Sequence, residues 1–473
     1  MIRFRPLVAA CTVLALAACS GASGASQFAP PSETTSMNAV SGKYIKHVVI
    51  IVQENRTFDN FFATFPGADG ATSGYYLNNG KPTKIALKSI PLNGDYDLNH
   101  NSVAYNLGCD GKNKYPKTSC QMDGFNLIGI DGKNPSYNYA YSYINPSDIQ
   151  PYWTMAKQYG LSDYMFQTQG SGSFTAHLDL VAGGSNINDS RCGKTDPTCA
   201  LIDYPSNFTD WGCAAPAGTY TALLTTAGKY ETKAGPFPCL TLPTKNMRDL
   251  LDAKKVSWKY YTPQYAPGSA GALWNAFSAI KEVYNDPSEW GTNVSWPETN
   301  IFSDITSNSL PAVSWVVPES DSSDHPWGKG QNDTGPSWVA SVVNAIGQSS
   351  YWDSTAVIVT WDDFGGWFDH EPPPLFDNMG GLGFRVPMLV ISPYVPQGEI
   401  THTQYEFASI LKFVEQNFGL PSMHTTDQRA TSMVNMFDFT QKPRPYNVIT
   451  TTLKKNYFIR RSRHIDNQPM DDE

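Results

Sequence analysis

Four short apolar runs, none of them alternating, constrain this chain more than any other feature. They are residues 48–52 (Val-Val-Ile-Ile-Val), 312–317 (Ala-Val-Ser-Trp-Val-Val), 356–360 (Ala-Val-Ile-Val-Thr) and 387–391 (Pro-Met-Leu-Val-Ile). A strand with one wet face alternates apolar and polar residues. An uninterrupted β-branched run is instead buried on both faces, as in a parallel sheet covered by helices. Residues 256–261 read as a weaker fifth strand. Helical patterns at residues 246–254, 272–284, 337–346 and 404–418 lie between and after these runs. Strands alternating with helices predict a doubly wound α/β sheet, mostly parallel, with helices on both faces. Residues 67–152 and 185–245 read as loop-rich insertions, the first a small cap over the sheet.

The composition can fill such a core: of 473 residues, 41% are hydrophobic and 16% charged, the reverse of a disordered balance. A formal charge of −9 and the absence of a basic stripe argue against a nucleic-acid groove. Residues 1–18 read as an export signal. Arg3 and Arg5 precede an apolar run, residues 6–18, too short for a permanent membrane span. It ends Leu16-Ala17-Ala18-Cys19, which resembles a bacterial lipoprotein signal cut before a lipidated Cys19. The alternative is ordinary secretion with cleavage near Ala18 or Ala25. Residues 19–42, rich in Ser, Ala, Gly, Pro and Thr, read as a flexible tether, and residues 43–473 as a single domain. The expectation is an exported protein, lipid-anchored at the outer membrane facing the periplasm or cell surface, and otherwise periplasmic or secreted. Six cysteines remain beyond the signal, and an oxidising compartment favours their pairing. Nearest neighbours would join Cys109 to Cys120, Cys192 to Cys199 and Cys213 to Cys239. A zinc cluster competes less well, because no pair has the two-residue spacing of a zinc knuckle.

Ligands of open α/β sheets bind beyond the carboxyl ends of the strands. After Val52 comes Gln53-Glu54-Asn55-Arg56-Thr57-Phe58-Asp59, and after Val359 comes a segment containing Asp362-Asp363 and Phe368-Asp369-His370. After Val317 come Glu319, Asp321 and Asp324-His325. Glu54 with Asn55, and Asp362 with Asp363, supply hard oxygen ligands for a divalent cation; without one, clustered carboxylates repel. Residues 170–177 (Gly-Ser-Gly-Ser-Phe-Thr-Ala-His) form a turn that can present the Thr175 or Ser173 hydroxyl at a helix N-terminus. Plain N-capping by the same hydroxyl is the alternative.

Residues 45–59 (Ile-Lys-His-Val-Val-Ile-Ile-Val-Gln-Glu-Asn-Arg-Thr-Phe-Asp) resemble the opening block of the bacterial phosphoesterase family of secreted phospholipases C and acid phosphatases. Residues 360–374, with Asp362-Asp363 and Phe368-Asp369-His370-Glu371-Pro372-Pro373-Pro374, resemble its second signature. Residues 173–177 resemble its nucleophile block and Asp324-His325-Pro326 its histidine block. The resemblance implies an alkaline-phosphatase-like fold. It also implies one divalent ion, calcium, magnesium, manganese or zinc, held by Glu54, Asn55, Thr175, Asp362 and Asp363. It places the nucleophile on Thr175, with Ser173 second, and two histidines near the phosphoryl group at His325 and His100. One family histidine has no clear counterpart, and residues 260–263 stand roughly at its place. Asp363 departs from the Glu of many phospholipase C relatives and resembles the acid phosphatase branch.

The implied activity is acid phosphatase-like hydrolysis of a phosphate ester through a phosphothreonine, with His325 or His100 protonating the leaving alkoxide. A phospholipase C-type phosphodiesterase is the alternative. The substrate would be a small phosphate ester or a phospholipid headgroup. His370 could orient Asp362 or Asp363 from behind, and His177 would stabilise the turn. Trp361, Phe364, Trp367 and Phe368 either line a pocket or belong to the core. A reading of another class is a surface lipoprotein that binds a partner and does no chemistry.

Overall fold

The run 48–52 becomes β1 (His47–Gln53), at the heart of an eight-stranded sheet. The other strands, in chain order, are β2 (Gly160–Ser162), β3 (Trp258–Tyr261), β4 (Val294–Ser295) and β5 (Val313–Val316). They are followed by β6 (Thr355–Trp361), β7 (Met388–Ile391) and β8 (Glu399–Thr401). The computed structural model describes residues 41–93, 97–114, 117–130, 138–187, 200–205, 211–225, 230–231, 235–266, 270–326, 333–376 and 381–467. The expected signal, the lipidation site at Cys19 and the tether up to residue 40 lie outside them, as do Cys192 and Cys199; the last two residues of the expected tether instead open a short helix, Ser41–Tyr44. No helix among the described residues is long and apolar enough to cross a membrane.

Sheet order is β4-β3-β5-β1-β6-β7-β2-β8. Strands β4, β3, β5, β1 and β6 pair in parallel, and so do β2 and β8. All seven residues of β6 and all four of β5 are buried, as a sheet covered on both faces requires. Helices α1 (Phe58–Phe62), α2 (Ser102–Asp110), α3 (Gln150–Gln158), α4 (Ser173–Ala182), α5 (Met247–Ala253), α6 (Thr334–Gly347) and α7 (Phe407–Phe418) accompany it. Buried side chains of α3 to α7 share one core with the strands.

Two expectations are corrected. The run 387–391 is not a parallel strand: β7 runs antiparallel to both β6 and β2. A parallel return needs a crossover, usually a helix. The segment joining β6 to β7 contains no helix among its described residues. The helix expected over residues 272–284 is broken into Ala270–Leu273, a 3-10 turn at Ala276–Ala279 and Lys281–Tyr284. Its carbonyls serve tertiary partners instead, the Trp274 oxygen accepting from the Tyr260 hydroxyl and the Ala279 oxygen from the Leu240 amide.

The cap begins with a hairpin, Ser73–Asn78 paired with Lys81–Ala86. Its two-residue turn, Asn79-Gly80, has φ of 51° and 75°, which Asn and Gly tolerate best. Helix α2 follows, capped by the Asn101 side chain, which accepts from the amides of Val103 and Ala104. Cys109 at its far end is bonded to Cys120. A second core forms here from Leu98, Tyr105, Phe125, Tyr141 and Phe384 together with Phe364, Trp367 and Phe368. Those last three aromatics are therefore core, as is Trp361 in the main one. In the insertion over 185–245, four short strands form an antiparallel sheet, and Cys213 is bonded to Cys239.

A buried charge network ties the segment after β1 to the segment after β6. Asp59 accepts from the backbone amides of Ala71 and His370 and from His370 Nδ1 at 2.8 Å. Asp369 accepts from the Asp59 amide and from Arg385 Nε at 2.8 Å. Arg385 also donates to the Asp69 and Asp163 carbonyls. Burial and Asp369 push Asp59 up, but the three N–H groups aimed at its oxygens hold it as a carboxylate. His370 thus meets Asp59, Asp69 and Arg385, and not Asp362 or Asp363 as its place in the sequence suggested.

Burial alone would lower the pKa of His370, but the Asp59 carboxylate, helped by Asp369, holds it up at about 9. A raised pKa gives stability that is complete below the unfolded value near 6.5 and lost as pH rises through about 9. His370→Gln is therefore expected to cost about 3 kcal/mol at mildly acidic pH, the low end for breaking a buried pair. Thermal unfolding of both proteins from about pH 6 to about pH 10 checks this. A gap in Tm that does not narrow with rising pH would refute the assignment.

Candidate active site

Strand register builds the site. Gln53 of β1 stands opposite Trp361 of β6 in a parallel pair, and the Asp362 amide donates to the Gln53 carbonyl at 2.9 Å. The next residues on the two strands, Glu54 and Asp362, therefore leave the sheet side by side. Asn55 then turns the chain with φ of 59°, a left-handed conformation Asn adopts more readily than most residues. Its amide donates to Asp362 Oδ1 at 3.1 Å. Gly365 packs directly on that turn: a Cβ there would lie 2.2 Å from the Asn55 carbonyl oxygen, and its own φ is 57°. Its amide donates to Asp363 Oδ1 at 2.7 Å.

Helix α4 delivers the hydroxyl and a histidine from a third direction. Gly172 is its N-cap and offers no side chain, so Ser173 opens the first turn. Ser173 Oγ donates to Asp363 Oδ2 at 3.0 Å and accepts from Asn55 Nδ2 at 3.3 Å. Asn55 Nδ2 also faces both Asp363 oxygens at 3.2 Å. Thr175, the expected nucleophile, lies two residues along the same turn. The hydroxyl held between Asn55 and Asp363 belongs to Ser173.

One turn on, His177 Nε2 lies 2.9 Å from Glu54 Oε1 and 3.8 Å from Asp362 Oδ2. Ligand atoms of Glu54, His177 and Asp362 all lie within 4.8 Å of one another, and the three residues are buried. Burial pulls His177 down to about 4, partly opposed by Asp362, so its ring is neutral at ordinary pH. The Tyr260 hydroxyl stands 3.5 Å from its other nitrogen. The sequence alone assigns His177 only a supporting role in the turn. Its signal was the i, i+4 spacing from Ser173, which puts both side chains on one helix face.

Two histidines close the site. His100 Nδ1 donates to the Leu98 carbonyl at 2.7 Å, and Nε2 stands 4.0 Å from Asp363 Oδ2. The His325 ring centroid lies 6.1 Å from that of His100 and 6.0 Å from Trp274. Asp324 anchors the loop that carries His325. Its Oδ2 accepts from the Tyr152 hydroxyl at 2.7 Å, Trp361 Nε1 at 3.2 Å and Gln53 Nε2 at 3.3 Å. Burial pushes Asp324 up to about 6 against these bonds and the charge of Arg56, which grips the Asp324 carbonyl through Nε and Nη2.

The donors suit a divalent cation. Asn55 Oδ1 and Asp362 Oδ2 are buried oxygens without a hydrogen-bond partner among the described residues, and Glu54 and Asp362 are fully buried. Buried oxygens of this kind are costly unless paired or bound to metal. Glu54, Asn55, Asp362, Asp363, Ser173, His177, His100 and His325 thus stand together, and His370 stands elsewhere.

The sequence profile of the Phosphoesterase family matches residues 45–421. Phospholipase C A of Mycobacterium tuberculosis is 25% identical over 84% of this chain and 78% of its own. Hemolytic phospholipase C of Pseudomonas aeruginosa is 24% identical over 84% of this chain and 56% of its own. Among solved structures, an alkaline phosphatase superfamily protein from Vibrio parahaemolyticus is 12% identical over 59% of this chain and 64% of its own. Its TM-score is 0.33, too distant a likeness to bear on function. A match through both strand-exit loops, α4 and the His325 loop covers every element of the site just described: the chain belongs to the Phosphoesterase family and is a phosphoric ester hydrolase.

Proposed function

We propose that the enzyme cleaves phosphodiesters in the manner of a phospholipase C, with Ser173 as its nucleophile. The observation that carries this is the Ser173 hydroxyl, held at 3.0 Å from Asp363 and 3.3 Å from the Asn55 amide. Asp363 is placed to take the Ser173 proton as Oγ attacks phosphorus, giving a covalent phosphoserine where the sequence suggested a phosphothreonine. Asn55 Nδ2 orients the hydroxyl, and at the N-terminus of α4 the backbone dipole favours the anionic group.

His100 supplies the leaving-group proton. Its Nδ1–H is committed to the Leu98 carbonyl, so Nε2 carries a proton only in the imidazolium. That proton faces the site, and its loss to the departing alkoxide leaves a neutral ring in the same orientation. His325, beside it, contacts the phosphoryl oxygens, and water then hydrolyses the phosphoserine. Glu54, His177, Asp362 and the amide oxygen of Asn55 would hold one divalent ion, which when bound polarises the phosphoryl group and offsets its charge. The phospholipase C names of the relatives support a diester substrate. A phosphomonoesterase reading is favoured by one residue, Asp363, where many phospholipase C relatives have Glu.

Hydrolysis of p-nitrophenyl phosphorylcholine and of p-nitrophenyl phosphate tests these readings. The diester is expected to be preferred; preference for the monoester would move the assignment to an acid phosphatase. Ser173→Ala should lose at least about 10³-fold in kcat, while Thr175→Ala keeps most of it. The reverse pattern would restore Thr175. Chelator should abolish turnover. Added divalent ion at about 100 times its Kd should stabilise the protein by roughly 2.7 kcal/mol, seen as a rise in Tm, and Asp362→Ala should remove that rise. A Tm unaffected by any divalent ion would exclude the proposed ligand set.

A further inference from the structure

The exposed side chains of the cap carry charge opposite in sign to the whole chain. Lys81, Lys84, Lys88, Lys112 and Lys114 are all exposed, and none has an ion-pair partner among the described residues. The carboxylates of the described residues from 73 to 130 do not balance them. Asp97 and Asp123 are buried, and Asp110 is ion-paired with Lys117 at 2.7 Å. The formal charge of the chain is nevertheless −9, so the cap is a local reversal.

In the hairpin Lys84 stands opposite Tyr75, on the face that also carries Leu77, while Lys81 leaves the other face at the tip, opposite Asn78. Leu77, between Tyr75 and the turn, packs against Gly111, where a Cβ would meet its Cδ1 at 2.4 Å and that of Leu127 at 3.0 Å. Lys112 and Lys114 follow directly, so hairpin tip and α2 end form one surface. Large apolar side chains stand out from it: Tyr75 is 52% exposed and Leu127 43%. They are two of six such residues exposed among the described ones, and both fall within the lysine field.

We propose that this face docks on an anionic lipid surface. Lysines attract anionic headgroups, while Tyr75 and Leu127 enter the boundary between headgroup and acyl chain. A soluble polyanion would use the charge but would give the two apolar side chains nothing to bury in. His100, carried by the same cap, stands 4.0 Å from Asp363 Oδ2, so a docked cap also carries a residue of the site. The inference deepens the phospholipase C reading by naming where its substrate is met, and the docking itself can be read without turnover.

The test is sedimentation with phosphatidylcholine vesicles, with and without phosphatidylglycerol, using the full chain with Cys19→Ser so that no acyl group can be attached. Binding is expected only with phosphatidylglycerol and should weaken at high salt. The Lys81→Gln, Lys84→Gln, Lys112→Gln variant should bind about 100-fold more weakly, at roughly fivefold per lysine. Tyr75→Ser with Leu127→Ser should weaken vesicle binding but not retention on heparin. Both variants should hydrolyse a water-soluble ester at the unchanged rate. Equal vesicle binding by parent and lysine variant, or binding to heparin but not to vesicles, would overturn the proposal. Vesicle binding as expected with no ester hydrolysed would sink the hydrolase mechanism and leave the docking surface standing.

Discussion

Everything at the site depends on one parallel register, β1 against β6. Because Gln53 pairs with Trp361, the first residues beyond the sheet are Glu54 and Asp362, and the Asp362 amide is already bonded to the Gln53 carbonyl. A one-residue slip would send every side chain of a strand to the opposite face, exchanging one set of buried partners for another. The core enforces the register, since each residue of β6 is buried. Packing in the sheet thus fixes where two carboxylates meet, well before any ligand arrives.

Such a meeting is expensive, and the fold manages its buried acids in two distinct ways. Around Asp59 and Asp369 it supplies Arg385, His370 and backbone amides, so that the charges are balanced within the protein. Around Glu54 and Asp362 it supplies a neutral histidine and leaves oxygens of Asn55 and Asp362 without hydrogen-bond partners among the described residues. The first arrangement is complete as it stands and braces the loops. The second calls for a cation and belongs to chemistry.

Much of this was legible in the sequence, for physical reasons that also mark where reading stopped. Runs such as 48–52 and 356–360 announce strands buried on both faces, and the residues just beyond them, Glu54, Asn55 and Asp362, come together in the structure. An apolar run reports burial but not direction, so β7 was misread as parallel. Strand β2 is Gly-Leu-Ser, too short and too mixed to show any pattern. Ser173 and Thr175 both lie in the first turn of α4, and nothing in their spacing reveals that the Ser173 hydroxyl bonds to Asn55 and Asp363. His370 follows a strand signature as a catalytic residue would, yet its partner Asp59 comes from more than 300 residues away in the chain.

The cap is not an accessory laid over a finished domain. Its interior includes Phe364, Trp367 and Phe368, which belong to the segment leaving β6, and Gly74 of the hairpin sits so close to Phe368 that a Cβ would come within 2.2 Å of its ring. Lineages that trimmed or exchanged this insertion would have to redesign the catalytic strand's own exit at the same time. The hairpin, α2 and the Asp362-Asp363 segment are therefore expected to be inherited as one block, whatever happens to the loops around them.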